Sequence, residues 1–568
     1  MLVKSKKIIF IFWLVFVFAL AFLFWYSPIL FKGYPAQSID SEGVITIARN
    51  YSEHNVFGLE NDLNVVVAPS LVESSANTTS LGNKLTTISY AVIFRLFGQL
   101  DWDKVVLVAI AVSALALVFF SITIFYLFGF ESAILFSLIY ILLPVNGQTA
   151  YFVGTYEFAM LFLSIFTVLF FCFRNYKHRW PFLMLSGLFL ALSGLSREAM
   201  FLSFPIIFLW LWFNKRTKDI LLIFIPVILL MVIFWLPSFL SGNNDYFKLF
   251  VASKNQEKVH SDYQVYSHLY PDPYTYHFNN QSVLPSDDQT NKSGWLYNIG
   301  LLKSQANLGI KQVNIFERLI VGTTDLARQV SKFFSLEDMG GPLIFLLMVL
   351  GLYQLRNGNR EVYYLFVSLL VFIPLLLSYV VLGRRSHIMD LAWVISSSTA
   401  IGLISLKSLL KNYYQINRYF YPVYLIIVMV VLYSLILAGH VYWGRAYDSD
   451  KYLEVKYLAE QVNNYPSKIA DVEVIAVGDR SLHPSLNYLT RKSVVLFNSD
   501  TIAKLVENGK LQSAFDTFSI RYIIGYDQEL SDLIVKNSQT INIAIWPEKY
   551  DLQKSLNYNK SWLLNLIK

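Results

Sequence analysis

The chain has 568 residues, 55% of them hydrophobic and only 15% charged, with a mean hydropathy of +0.47. The apolar residues come in runs, which places the chain among polytopic membrane proteins and outside the soluble globular ones. A net charge of +7 would point a soluble protein toward nucleic acid. Here the basic residues are read as orienting cytoplasmic loops, and no nucleic-acid partner is expected. The one cysteine, Cys172, sits within an apolar run, which excludes an internal disulfide and a cysteine-based zinc site.

In chain order, Lys4, Lys6 and Lys7 precede an apolar run from Ile8 to Tyr26. The run is long and no small-residue cleavage site follows it, so it reads as a retained signal-anchor helix. Candidate spans are 8–27, 104–128, 131–147, 153–173, 180–196, 199–213, 219–240, 341–356, 361–382, 388–406 and 419–443, eleven in all. With these spans the basic connections Arg174 to Arg179, Asn214 to Lys218, Arg356 to Arg360 and Lys407 to Arg418 all fall on the side of Lys4 to Lys7. The segment 85–98 is short for a crossing and carries Arg95, so it reads as a juxtamembrane helix lying on the membrane. The N-terminus is then expected in the cytoplasm and the C-terminus outside.

The expected fold is an α-helical polytopic membrane domain over 1–444, followed by a small extracytoplasmic α/β domain over 445–568. Two large outer loops interrupt the membrane domain, 28–103 and 241–338, the second with a helix expected from Val313 to Phe334. The tail reads as helix 451–464, strand 472–477, helix 484–490, strand 493–497, helix 500–508, strand 521–525 and strand 541–545. Strands alternating with helices suggest a layered α/β unit. No internal repeat is evident.

The first outer loop contains Ser38 to Gly58, SIDSEGVITIARNYSEHNVFG, with Asp40 and Glu42 at the start of an amphipathic helix. Ile39, Gly43, Val44, Ile47, Ala48 and Tyr51 form one apolar stripe at 3.6-residue spacing, and Asp40 lies within its angular range. On local pattern alone Asp40 or Ser38 is equally a helix N-cap, with Glu42 favourable at the positive end. Arg49 has Glu53 four residues on as a partner.

This stretch resembles the first-loop signature of the GT-C membrane glycosyltransferases, in particular the dolichyl-phosphate-mannose protein mannosyltransferase-like group. That group reads roughly D-E-x-x-Y-x-x-x-A-R-N with a glycine some ten residues on. The matching positions are Asp40, Glu42, Ala48, Arg49, Asn50 and Gly58, while Ile45 or Thr46 stands near the family's Tyr. Leu81 to Gly98 also looks like the family's juxtamembrane stretch, without its prolines. The resemblance implies an inverting transfer of a sugar from a polyprenyl-phosphate carrier to a protein, lipid or glycan acceptor. By it Asp40 is the base, and Glu42 positions the acceptor or assists.

Such a transfer needs a base for the acceptor, positive charge for the departing phosphate and an apolar path for the lipid. Arg197 and Glu198 interrupt two apolar spans in GLSREAMF on the expected outer side. Ionisable groups there are costly and point to function, with a helix-joining ion pair as the bland reading. The run Gly383 to Asp390, GRRSHIMD, offers Arg384 and Arg385 as bidentate phosphate ligands, with His387 beside them. Interfacial snorkelling is the alternative for both arginines. Glu157, near the outer end of a span, is a further candidate. His260, His268 and His277 show no metal-ligand spacing, so a divalent metal ion stays an open cofactor expectation. Two rival readings are a lipid-linked sugar transporter or flippase and a non-catalytic membrane scaffold. Against the transporter, no repeated halves are visible and the unusual charges gather at one face.

Overall fold

The computed structural model describes residues 2–32, 39–54, 84–151, 153, 156–173, 176–240, 323, 326–378, 390–413, 417–446 and 451–464. Beyond these it describes 474–477, 483–490, 493–496, 506–507, 509, 511–512, 515, 520–524, 533–534, 536–537 and 542–544. Residues 241–322, most of the second outer loop, lie outside the described residues. The chain divides into two units, one formed by 1–31, 102–254 and 313–448, the other by 32–101, 255–312 and 449–568.

The first unit is helical wherever it is described. It begins with α1 (Leu2–Lys32), and α2 (Ile39–His54) and α3 (Lys84–Phe97) follow in the second unit. The first unit resumes with α4 (Trp102–Phe128), α5 (Phe130–Leu142), α6 (Pro144–Tyr151), α7 (Glu157–Phe173) and α8 (Trp180–Ser196). A short 3-10 turn (Glu198–Leu202) leads into α9 (Ser203–Phe213) and α10 (Thr217–Leu240). Then come α11 (Leu336–Met339), α12 (Pro342–Gly358), α13 (Arg360–Leu376), α14 (Ala392–Tyr413) and α15 (Asn417–Ala446).

Among the described residues five helices are long and apolar enough to cross a membrane: Ile8–Leu30, Trp102–Phe128, Thr217–Phe234, Ala392–Lys411 and Pro422–Gly439. The other six expected spans are shorter or broken helices, below the roughly 20 residues that span hydrocarbon unaided. Proline explains one break. Leu143 precedes Pro144 and takes ψ 122°, outside the helical region, so the span expected at 131–147 stops at Leu142. Between α4 and α5 Gly129 turns the chain at φ 87°, a conformation open to glycine.

Packing separates central helices from peripheral ones. In α14 the run Ser396 to Ala400 is fully buried, whereas α1, α10 and α15 expose Phe12, Leu229 and Leu425, faces suited to hydrocarbon. The backbones of α12 and α14 meet at Gly351 and Gly402. A Cβ at Gly402 would stand 2.0 Å from the Leu347 carbonyl oxygen, and one at Gly351 would stand 1.8 Å from that of Ser398. Small residues at such crossings let helices approach closely in membranes. Elsewhere on α14, Trp393 stacks on the Phe120 ring and meets the Phe366 ring edge-on.

The second unit places α2 against α3 and also against α17 (His483–Thr490), which packs on α16 (Lys451–Asn464). Its sheet is parallel throughout, in the order β2-β1-β3-β4, from β1 (Val474–Val477), β2 (Ser493–Leu496), β3 (Ile520–Ile524) and β4 (Asn542–Ala544). Parallel neighbours need crossover connections, and α17 lies in the one from β1 to β2. The helix α2 is not buried along a single stripe. Ile45, Thr46, Ile47, Ala48 and Arg49 are buried in succession, because α3 and α17 cover it from two sides.

Candidate active site

The helix α8 rises about 25 Å between two clusters of charge. At its start, Arg179 pairs with Asp219 at 3.0 Å, and Arg216 lies 3.6 Å from Asp219 and 3.1 Å from Glu361. Three of the basic connections read from the sequence, those before α8, α10 and α13, therefore meet at one end of the unit. Lys407 adds an ion pair to Glu131 at 2.6 Å.

The other end of α8 carries a different group of charges. Arg197 follows its last turn in extended backbone, φ −148° and ψ 120°, and its N–H donates to the Ser193 carbonyl at 3.0 Å. A cation suits this position, where unpaired carbonyls leave partial negative charge. The Arg197 guanidinium lies over the Tyr156 ring, 4.7 Å from its centroid. Glu157, 1% exposed, opens α7 and accepts the Tyr156 N–H at 3.1 Å. The acid thus sits at a helix N-terminus and the base at a helix C-terminus, both joined through Tyr156.

Asp390 completes the group. It precedes α14 and is 4% exposed, and among the described residues no other residue hydrogen-bonds either of its carboxylate oxygens. It stands two residues ahead of the span that begins at Ala392. Burial pushes its carboxyl up to about 7, while the positive charge of Arg197 pulls in the opposite direction. Asp390 also lines a cavity of about 30 Å³ with Thr167, Met200, Ser203, Trp210 and Trp393, room for about two water molecules. The sequence reading named Asp390 only as the end of the GRRSHIMD run. Its signal was available, an acid at the mouth of an apolar span, but its proximity to Arg197 was not.

Of the residues expected to act, Glu157 and Arg197 are therefore brought together. Asp40 and Glu42 lie in the first turns of α2, and Glu198 opens the 3-10 turn; their side chains lie outside the described residues, as do Arg384, Arg385 and His387 entirely. Among the described residues no three His, Cys, Asp or Glu side chains gather as a metal-binding group.

No family model matches the sequence, and no curated protein matches it either. The fold does find neighbours. The GT-C oligosaccharyltransferase AglB from Archaeoglobus fulgidus, in complex with an inhibitory peptide and a dolichol-phosphate, matches with a TM-score of 0.53 and 11% identity. That match covers 91% of this chain and 70% of AglB. The same enzyme tethered to an acceptor peptide containing the NVT sequon matches with a TM-score of 0.51 and 10% identity, over 90% of this chain and 69% of that one. The chain has the GT-C fold. With its apolar helices, this makes it an integral membrane protein. In this GT-C chain the group of Tyr156, Glu157, Arg197 and Asp390 stands at the end of α8 opposite the ion pairs of Arg179 and Arg216.

Proposed function

We infer that the protein is a glycosyltransferase that moves a sugar from a polyprenyl-phosphate carrier to an acceptor on the extracytoplasmic face. The observation that carries this reading is the gathering of Glu157, Arg197 and Asp390 at one end of a bundle with the GT-C fold. The dolichol-phosphate bound by AglB supports a polyprenyl-phosphate donor. The aromatic and aliphatic faces of the membrane helices suit its lipid.

In the proposed reaction Asp40 takes a proton from the acceptor as the acceptor attacks the anomeric carbon. The bond between that carbon and the phosphate oxygen breaks, its electron pair leaves with the polyprenyl phosphate, and the configuration inverts. Glu42 positions the acceptor. Arg197, with Arg384 or Arg385, stabilises the charge that gathers on the phosphate, the kind of electrostatic effect that dominates many enzymes. The Tyr156 ring holds Arg197 on one face, and Asp390 adds opposing charge. Glu157, Glu198 and His387 remain candidates for contacts to the sugar or acceptor. The basic connections at the opposite end lie in the cytoplasm, and the C-terminal α/β domain, 445–568, lies outside.

The test is sugar transfer in membranes holding wild type or Asp40→Asn at equal abundance, supplied with a panel of radiolabelled polyprenyl-phosphate sugars. Loss of about 100-fold or more in the variant is expected for a missing general base. Equal transfer by both removes Asp40 from that role. Absence of transfer from every donor would count against the enzyme and favour a transporter or scaffold.

A further inference from the structure

We propose that Arg49 and Tyr488 are positioning residues, which fix the rotation of α2 and so make the C-terminal segment part of the catalytic machinery. The proposal rests on the reading of Asp40 as the base. Arg49 is only 4% exposed, and its Nη1 donates to the Tyr488 backbone carbonyl at 2.7 Å. The same guanidinium lies over the Tyr488 ring, 5.1 Å from the centroid. The Tyr488 hydroxyl in turn donates to the carbonyl of Leu100, a residue just beyond the end of α3. One residue of the tail, by its carbonyl, ring and hydroxyl, thus grips both the helix that carries Asp40 and the connection that follows α3, across 439 and 388 residues of sequence.

The last turn of α2 is held separately. Arg95 of α3 donates to the carbonyls of Tyr51 and Ser52 at 3.1 and 3.4 Å and lies over the Tyr51 ring, satisfying helix-end acceptors. Arg49 is the polar contact nearest the other end of the helix among these, and it meets α17. Apolar burial of Ile45, Ile47 and Ala48 holds α2 in place without fixing its rotation, because the hydrophobic effect is non-directional. A charge-assisted bond to a carbonyl is directional. Burying a guanidinium is costly unless it is well paired, and Tyr488 of α17 supplies Arg49 with both a hydrogen bond and a ring contact.

Rotation is what matters for Asp40, nine residues before Arg49 in the same helix. A turn of 20° about the axis would move a group on the helix surface by about 2 Å. Misplacement by about 1 Å can cost 100-fold in rate. The contact is therefore expected to act on the chemical step and leave donor binding nearly untouched.

The experiment measures kcat and donor KM for Arg49→Gln, Tyr488→Leu, the double variant and Asp40→Asn in membranes, at matched levels of folded protein. Each single variant of the clamp is expected to lower kcat by about 10- to 100-fold, with donor KM within about twofold of wild type. The double variant should lose less than the product of the two single losses, since both remove the ring contact while Tyr488→Leu keeps the carbonyl that Arg49 bonds. Multiplying losses, an effect on KM alone, or wild-type kcat would each overturn the proposal. Should Arg49→Gln not accumulate, Arg49→Lys keeps the charge and loses the planar fork; a fall in kcat supports the clamp and wild-type kcat refutes it. Full activity of Asp40→Asn would sink the reading of the base on which the clamp depends. An inactive Asp40→Asn beside fully active clamp variants would sink the clamp alone.

Discussion

Asp390 is a carboxylic acid buried where, among the described residues, Arg197 supplies the opposing charge, and its titration should be visible in stability. Its ordinary value is 3.8, and in the folded chain it titrates near 7. Between those values the folded state holds a proton that the unfolded state has released, so stability falls as pH rises through that window and levels off above it. Asp390→Asn is neutral at every pH and removes this dependence. The stability of the variant relative to wild type should therefore improve by about 2–3 kcal/mol between pH 5 and pH 8, read as the midpoint of thermal unfolding in detergent. Parallel pH profiles for the two proteins would refute it. Arg197 itself is set by the end of α8 and by the Tyr156 ring, with Asp390 adding opposing charge.

At the scale of elements, two devices set the helices against one another. One is the glycine seam between α12 and α14, where the Gly351 and Gly402 backbones meet carbonyls of the facing helix. Gly402→Ala would press a methyl group onto the Leu347 carbonyl, a backbone atom that cannot rotate away. Overpacking of this kind costs about 1–3 kcal/mol or more. The variant is expected to lose most of its monodisperse peak in size-exclusion chromatography, whereas Gly358→Ala, with open space around the added Cβ, should keep it. The other device is the pair of polar grips on α2. Arg95 and Arg49 approach from α3 and α17 respectively, which explains why a helix with one apolar stripe is buried on two sides.

Across the whole molecule, the ion pairs of Arg179, Arg216 and Asp219 and the group around Arg197 mark opposite ends of α8. Positive charge in short loops sets orientation, so the first cluster is expected in the cytoplasm. Cys172 is the single cysteine, and on a Cys172→Ser background reporters can be placed at will. His178→Cys, exposed beside Arg179, should resist a membrane-impermeant thiol reagent in intact cells, while Glu507→Cys, exposed in the tail, should react. Labelling of both, or the reverse pattern, would overturn the proposed topology. The C-terminal segment then belongs on the same side as Asp40, as the contact between Arg49 and Tyr488 requires of the second unit.

Hydropathy is a local property, and it alone determined much of this protein. The five long crossing helices coincide with apolar runs from 8, 104, 219, 388 and 419 onward, and β1 to β4 fall at the segments 472–477, 493–497, 521–525 and 541–545. The break at Arg197 was visible for the same reason, since a charge between two apolar runs is written in neighbouring residues. Basic loops gave the grouping of Arg179 and Arg216, which meet at Asp219. Tertiary structure decided the rest. The length of α5 was set by Leu143 and Pro144 in a run whose hydropathy continues unbroken. Arg49 read as a partner for Glu53 one turn away, yet it also bonds a carbonyl 439 residues later. Asp390 gained its environment from Arg197 and a cavity lined by four helices. A buried polar group takes its partner from whatever the packing brings within about 3 Å, and sequence spacing carries no record of that choice.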